Sequence, residues 1–146
     1  MTQSNYNHPD PFRAPQFYAS VPSKRLIAWI IDTAITLLLT VLVIPFTAFA
    51  GLFFFPLLAL VIGFGYRCVT IGASSATWGM RVMAIELRDA RGERFDCPQA
   101  VMHTLGYSLS MAFVLVQIAS IIMMLGTARG QSLTDLALGS VMINRR

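Results

Sequence analysis

Three apolar stretches, at about residues 26–46, 49–69 and 99–125, are each long enough to cross a bilayer, for which an α-helix needs roughly 20 residues. Backbone amides and carbonyls cannot be left unpaired in lipid, so stretches of this kind fold as helices. They predict an all-α membrane protein, a small helical bundle of about three membrane segments joined by short interfacial helices. Composition agrees, because 55% of the 146 residues are apolar and only 12% are charged, too few to coat a soluble domain. The net charge of +4 comes from short basic clusters beside the apolar stretches. That placement suits the cytoplasmic face of a membrane and gives no reason to expect a nucleic-acid partner. The lipid bilayer is the partner the sequence demands.

Residues 1–22 include His8, Pro9, Pro11, Pro15 and Pro22 and lack the apolar core of a signal peptide; they read as a flexible cytoplasmic tail. A membrane domain follows over 23–146. Lys24 and Arg25 precede the first stretch, Arg67 ends the second, and the joint at Thr47 and Ala48 carries no charge. The positive-inside rule therefore puts the N-terminus and Arg67 in the cytoplasm. A polar interlude over 72–98 opens with "GASSATWGMR", an interfacial piece. In "VMAIELRDARGERF" the tetrapeptide "DARG" suits a turn, which predicts a small cytoplasmic β-hairpin. Arg81, Arg88, Arg91 and Arg94 interleave there with Glu86, Asp89, Glu93 and Asp96, the pattern of a solvated face. The interfacial tail, 130–146, ends in a β-like run with Arg145 and Arg146. Three full crossings would leave those arginines outside, so a third segment that returns as a bent or re-entrant pair is preferred. "TWGMRVMAIEL" and "SLTDLALGSVM" also echo one another, each placing small or hydroxyl residues before a β-like run.

Asp32 lies inside the first stretch, seven residues after Arg25 and on nearly the same helix face. An acid near the bilayer centre costs roughly 2.5–3.5 kcal/mol on insertion scales, so it should face the bundle interior and find a partner. Thr36 and Thr40 continue that face, with Trp29 beside it, and His103, Ser110 and Gln117 form a second polar stripe at seven-residue spacing. Two readings of Asp32 follow: a clamp bonded to hydroxyls or an Arg of a neighbouring segment, or a ligand for a proton or cation. Asp135 reads as an early residue of a short helix, where a carboxylate satisfies free backbone amides. Cys68 and Cys97 have no CxxC or histidine partners and read as ordinary thiols, so neither a metal nor a cofactor is expected. No phosphate-binding Gly loop, HExxH, GxSxG or close carboxylate pair is present, and an enzyme is not expected.

Arg25 at the mouth of the first span, Asp32 within it and Asp135 in "QSLTDLALGSVMI" together resemble the RDD family of small bacterial membrane proteins, named for such an Arg-Asp-Asp trio. "ATWGMRVMAIELRDARG" resembles the family's middle segment, and the likeness extends over roughly 18–144. Two positions depart from it: Met80 stands where the family commonly has Lys, and Leu136 where a basic residue is common. The resemblance implies a multi-pass protein of the bacterial inner membrane, in a family for which transport, in some members cation/proton exchange, has been suggested. It also implies that Asp135 approaches Arg25, with both on one side of the membrane. The resulting expectation is a structural, accessory or assembly component of a larger membrane complex or homo-oligomer. The alternative is a transporter of a small ligand or proton-coupled cation that uses Asp32.

Overall fold

The computed structural model describes residues 7–145. Helix α1 covers Val21–Val43, with Pro22 in the first turn, where the missing amide has no intrahelical role. It passes into a tight turn, Ile44–Thr47, that contains Pro45. Ala48 and Phe49 then adopt left-handed backbone angles, φ 51° and 65°, and reverse the chain. A further short turn, Ala50–Leu52, precedes α2, Phe55–Ser74. The reversal thus consumes the first residues of the second apolar stretch and moves its helix about six residues toward the C-terminus. As a consequence Arg67 is not at the helix end but seven residues before it, about 10 Å along the axis. Both helices are long and apolar enough to cross a membrane.

Beyond α2 the chain builds the same unit twice. Thr77 caps the short helix α3, Trp78–Val82, which leads into strand β1, Ile85–Arg88. Ser132 caps the short helix α6, Leu133–Leu138, which ends at the left-handed Gly139 and leads into strand β2, Val141–Asn144. The two strands pair antiparallel, with Leu87 opposite Met142. The expected local hairpin is therefore corrected: the sheet joins the middle of the chain to its C-terminal end. The "DARG" turn does form, with Asp89 Oδ1 accepting from the amides of Arg91 and Glu93 at 2.9 and 2.8 Å. The run after it makes one backbone bond to Asp89 and then leaves, because the Phe95 amide donates to Ser75 Oγ at 2.6 Å and Asp96 caps the next helix.

The third apolar segment is broken. Helices α4, Cys97–Ala112, and α5, Val114–Gly126, meet at Phe113 and bend by 117°. The arm returns to where it began: Gly130 beyond α5 accepts from Arg25 at the start of α1, and Cys97 at the start of α4 packs on Gly72 near the end of α2. The core lies at this end, where Val21, Ala28, Ile71, Met80, Leu87, Phe95 and Met142 pack together around the sheet.

Residues 7–20 depart from the flexible tail expected of the N-terminus. Tyr18 packs on Val141 and Ile143, and Asn144 Nδ2 donates to the carbonyls of Gln16 and Ala19 at 2.8 and 2.9 Å. The remainder of that predicted tail, residues 1–6, and Arg146 lie outside the described residues. The charged interlude is also less solvated than its alternation predicts. Glu86 is buried and gathers Arg88, Arg94 and Arg145 around its carboxylate, which links β1 to both the following loop and the C-terminal end.

Candidate functional site

The outer faces of the helices carry exposed Leu, Val and Phe side chains, among them Leu38, Leu42, Val61 and Leu115. Polar groups are turned inward instead, the arrangement expected where lipid surrounds the protein. Asp32 is almost fully enclosed, and its two oxygens accept three hydrogen bonds. Thr77 Oγ1 donates to Oδ2 at 2.5 Å, while Tyr66 Oη and the Gly79 amide donate to Oδ1 at 2.7 and 2.9 Å. The carboxylate thereby fixes α3 on α1 and on α2. Gly79 is required for this approach, because a Cβ there would lie 2.3 Å from the Ala28 carbonyl oxygen. Met80 is buried, and its sulfur accepts from the Thr77 amide at 3.5 Å.

Asp135 forms the second node. It lies on the first turn of α6, where Oδ2 accepts from the Ser132 amide and hydroxyl at 3.0 and 2.9 Å. The same oxygen receives Arg25 Nη1 at 2.6 Å. Oδ1 lies 3.0 Å from His103 Nε2 and accepts from Ser140 Oγ at 3.2 Å. Burial pushes the Asp135 carboxyl upward, but the Arg25 charge, the His103 bond and the Ser132 amide outweigh it and hold it well below the usual carboxylate range. Arg25 and Asp135 are thus in contact, whereas Asp32 is bonded to a separate set of residues.

Between α1 and the α4–α5 arm lies a cleft of about 470 Å³. Arg25, Asp32, His103, Ser110 and Gln117 all line it, but Thr36 and Thr40 do not. Thr40 Oγ1 donates to the Thr36 carbonyl at 2.7 Å, and the Thr36 methyl faces Gly63 of α2, so these threonines serve helix packing. Ser110 donates to Gln117 Oε1 at 2.8 Å across the bend at Phe113. The seven-residue spacing therefore corresponds to a latch between two helices instead of a continuous stripe on one.

Three contributors escape the sequence reading. Thr77 and Tyr66 are among the donors to Asp32, and Arg67 is buried beside the cleft with its guanidinium 3.9 Å from the Tyr107 ring centre. Arg67 reads as a flanking charge only if α2 starts near residue 49. Pro45, Gly51 and Pro56 are the local signals for a longer reversal and a later helix.

These features define a helical membrane protein in which two buried acids fasten two short helix-strand units to the membrane helices. The RDD family's sequence model matches residues 19–139, and the chain belongs to the RDD family. No curated protein and no solved structure matches it.

Proposed function

We propose that the protein is a structural or accessory component of a larger assembly in a bacterial inner membrane, with no enzymatic activity of its own. The observation that carries this reading is the saturation of both buried acids from within the chain. Asp32 is bonded by Thr77, Tyr66 and Gly79, and Asp135 by Arg25, His103, Ser132 and Ser140. A carboxylate that carries a cation across the membrane must exchange such partners for the ion in each cycle. One that fastens helices retains them. The charge distribution supports a multi-pass arrangement with the sheet end in the cytoplasm. Lys24, Arg25, Arg88, Arg94 and Arg145 belong to that end, while the reversal between α1 and α2 has no charged residue.

Purified protein in proteoliposomes and affinity isolation from native membranes test the proposal together. The expected result is no pH-coupled cation flux from the protein alone and a stable larger complex in mild detergent. Flux that Asp32→Asn abolishes, with the variant still folded, would overturn it in favour of transport.

A further inference from the structure

The polar groups of the cleft are not all accounted for by the two acid nodes. Arg67 is about nine-tenths buried, yet among the described residues its guanidinium makes no hydrogen bond or ion pair, and Nε has no partner. Its guanidinium lies over the face of Tyr107, and Asp32, Tyr66 and Arg25 are within electrostatic range without forming an ion pair or hydrogen bond to it. Tyr107 is itself fixed, because its hydroxyl accepts from Trp29 Nε1 at 2.7 Å. A guanidinium presents five donors in a planar fork that matches carboxylate and phosphate groups. Leaving that fork unused in a buried position is costly, and an occupant with acceptor oxygens would relieve the cost. The charges around it leave Arg67 as the available cation. Arg25 is engaged by Asp135, and both oxygens of Asp32 are already filled by donors.

The walls of the cleft indicate what else such an occupant carries. Leu26, Trp29, Met111, Ile121 and Leu125 line it and are also exposed on the outside of the bundle. The cleft is thus continuous with the apolar surface that faces lipid, and its volume of about 470 Å³ falls in the usual small-molecule range of about 300–1,000 Å³. A hydrated inorganic anion would satisfy Arg67 but leave these walls unmatched. A neutral acyl chain would match the walls but leave the guanidinium bare.

We propose that the cleft binds an acyl-chain anion, with a phosphate or carboxylate head on Arg67 and an apolar tail along the Trp29 and Ile121 walls. The head meets the guanidinium edge while Tyr107 supports its face. The tail enters laterally from the bilayer between α1 and α5. This site does not depend on the accessory role: residues of both acid nodes line the cleft but keep their own partners, and the head rests on Arg67.

Native mass spectrometry of detergent-purified protein tests this, with phosphatidylglycerol, oleate and phosphatidylcholine offered in separate arms. Retention of phosphatidylglycerol identifies a phospholipid ligand and retention of oleate a free acid, and either supports the site when phosphatidylcholine is retained about tenfold less. Arg67→Gln should reduce retention about tenfold while Arg67→Lys retains part of it. Ile121→Trp, which fills the cleft without touching Arg67, should also block binding in a folded protein. Thermal unfolding of each variant distinguishes lost binding from lost structure. Equal retention of all three lipids, or unchanged retention in both Arg67→Gln and Ile121→Trp, would overturn the proposal.

Discussion

Replacing Asp32 in graded steps separates a clamp from an ion ligand. Asp32→Asn preserves shape and one oxygen, which can still accept from Tyr66 and the Gly79 amide. The new NH₂ group would face Thr77, whose hydroxyl donates to Oδ2 at 2.5 Å and accepts from the Met80 amide at 3.2 Å. One buried bond is lost, at a cost of about 1–3 kcal/mol. Asp32→Ala removes the acceptor of all three donors, leaving the buried Thr77 hydroxyl and Gly79 amide unsatisfied while the half-buried Tyr66 hydroxyl also loses its partner, for about 2–6 kcal/mol from the two buried groups. Removing a buried charge recovers part of this in both variants and leaves their order unchanged. The assay is reversible denaturant unfolding in mixed micelles, followed by tryptophan fluorescence, since Trp78 begins α3 and packs edge-on against Tyr66. Stability should fall from wild type to Asn and again to Ala. The Asp32→Asn/Thr77→Val pair should be non-additive by about 0.5–3 kcal/mol. A site held in reserve for an ion behaves in the opposite way, because its acid is a burden in the empty protein. A gain in stability for Asp32→Asn would refute the clamp.

Two further perturbations have defined signs. The Asp135 carboxyl is lowered on folding, so its stabilisation is fully present above the unfolded value of about 4 and is lost as pH falls below it. Acid unfolding between about pH 2 and 5 should therefore be shallower in Asp135→Asn than in wild type, as a pH series of melts would reveal. Gly79→Ala places a methyl against the Ala28 carbonyl and the Asp32 carboxylate, whereas a methyl at Gly65 would meet nothing within 4 Å. The first should destabilise by about 1–3 kcal/mol or more, and Gly65→Ala should be neutral or stabilising by up to about 1 kcal/mol, measured by the same unfolding assay.

How far the sequence carries the fold depends on the range of the interactions. Helix α1 is legible because hydropathy is a local property, and the seven-residue offset places Arg25 and Asp32 on one face of it. Asp135 is legible as an early helix residue because Ser132 and Gly139 bracket it as cap and stop. The echo between the middle and late segments corresponds to two capped helices, each followed by a strand. What is not legible is non-local. No periodicity indicates that Ile85–Arg88 pairs with Val141–Asn144 instead of with its own neighbour across the turn. Nor does it show that Asp32 is matched by Thr77 and Tyr66. Arg67 is misplaced by sequence reasoning for a different reason: Pro45, Gly51 and Pro56 mark a turn, but its length rests on two left-handed non-glycine residues, Ala48 and Phe49, whose conformation their residue types do not announce.

The arrangement that unites these observations is a single polar end, where the start of α1, the sheet, the start of α4 and the C-terminal strand meet. Labelling with a membrane-impermeant maleimide in intact and permeabilised spheroplasts tests it most directly. Native Cys97 is exposed and reports the start of α4 once Cys68 is replaced by Ala. Single cysteines at Arg145, Arg91 and Phe49, in a background without the native thiols, report the C-terminal end, the loop after β1 and the reversal after α1. The expected result is that Cys97 and the cysteines at 91 and 145 react only after permeabilisation, while the cysteine at 49 reacts in intact cells. Reaction of the cysteines at 145 and 49 from the same side, with Cys97 protected, would contradict the shared polar end.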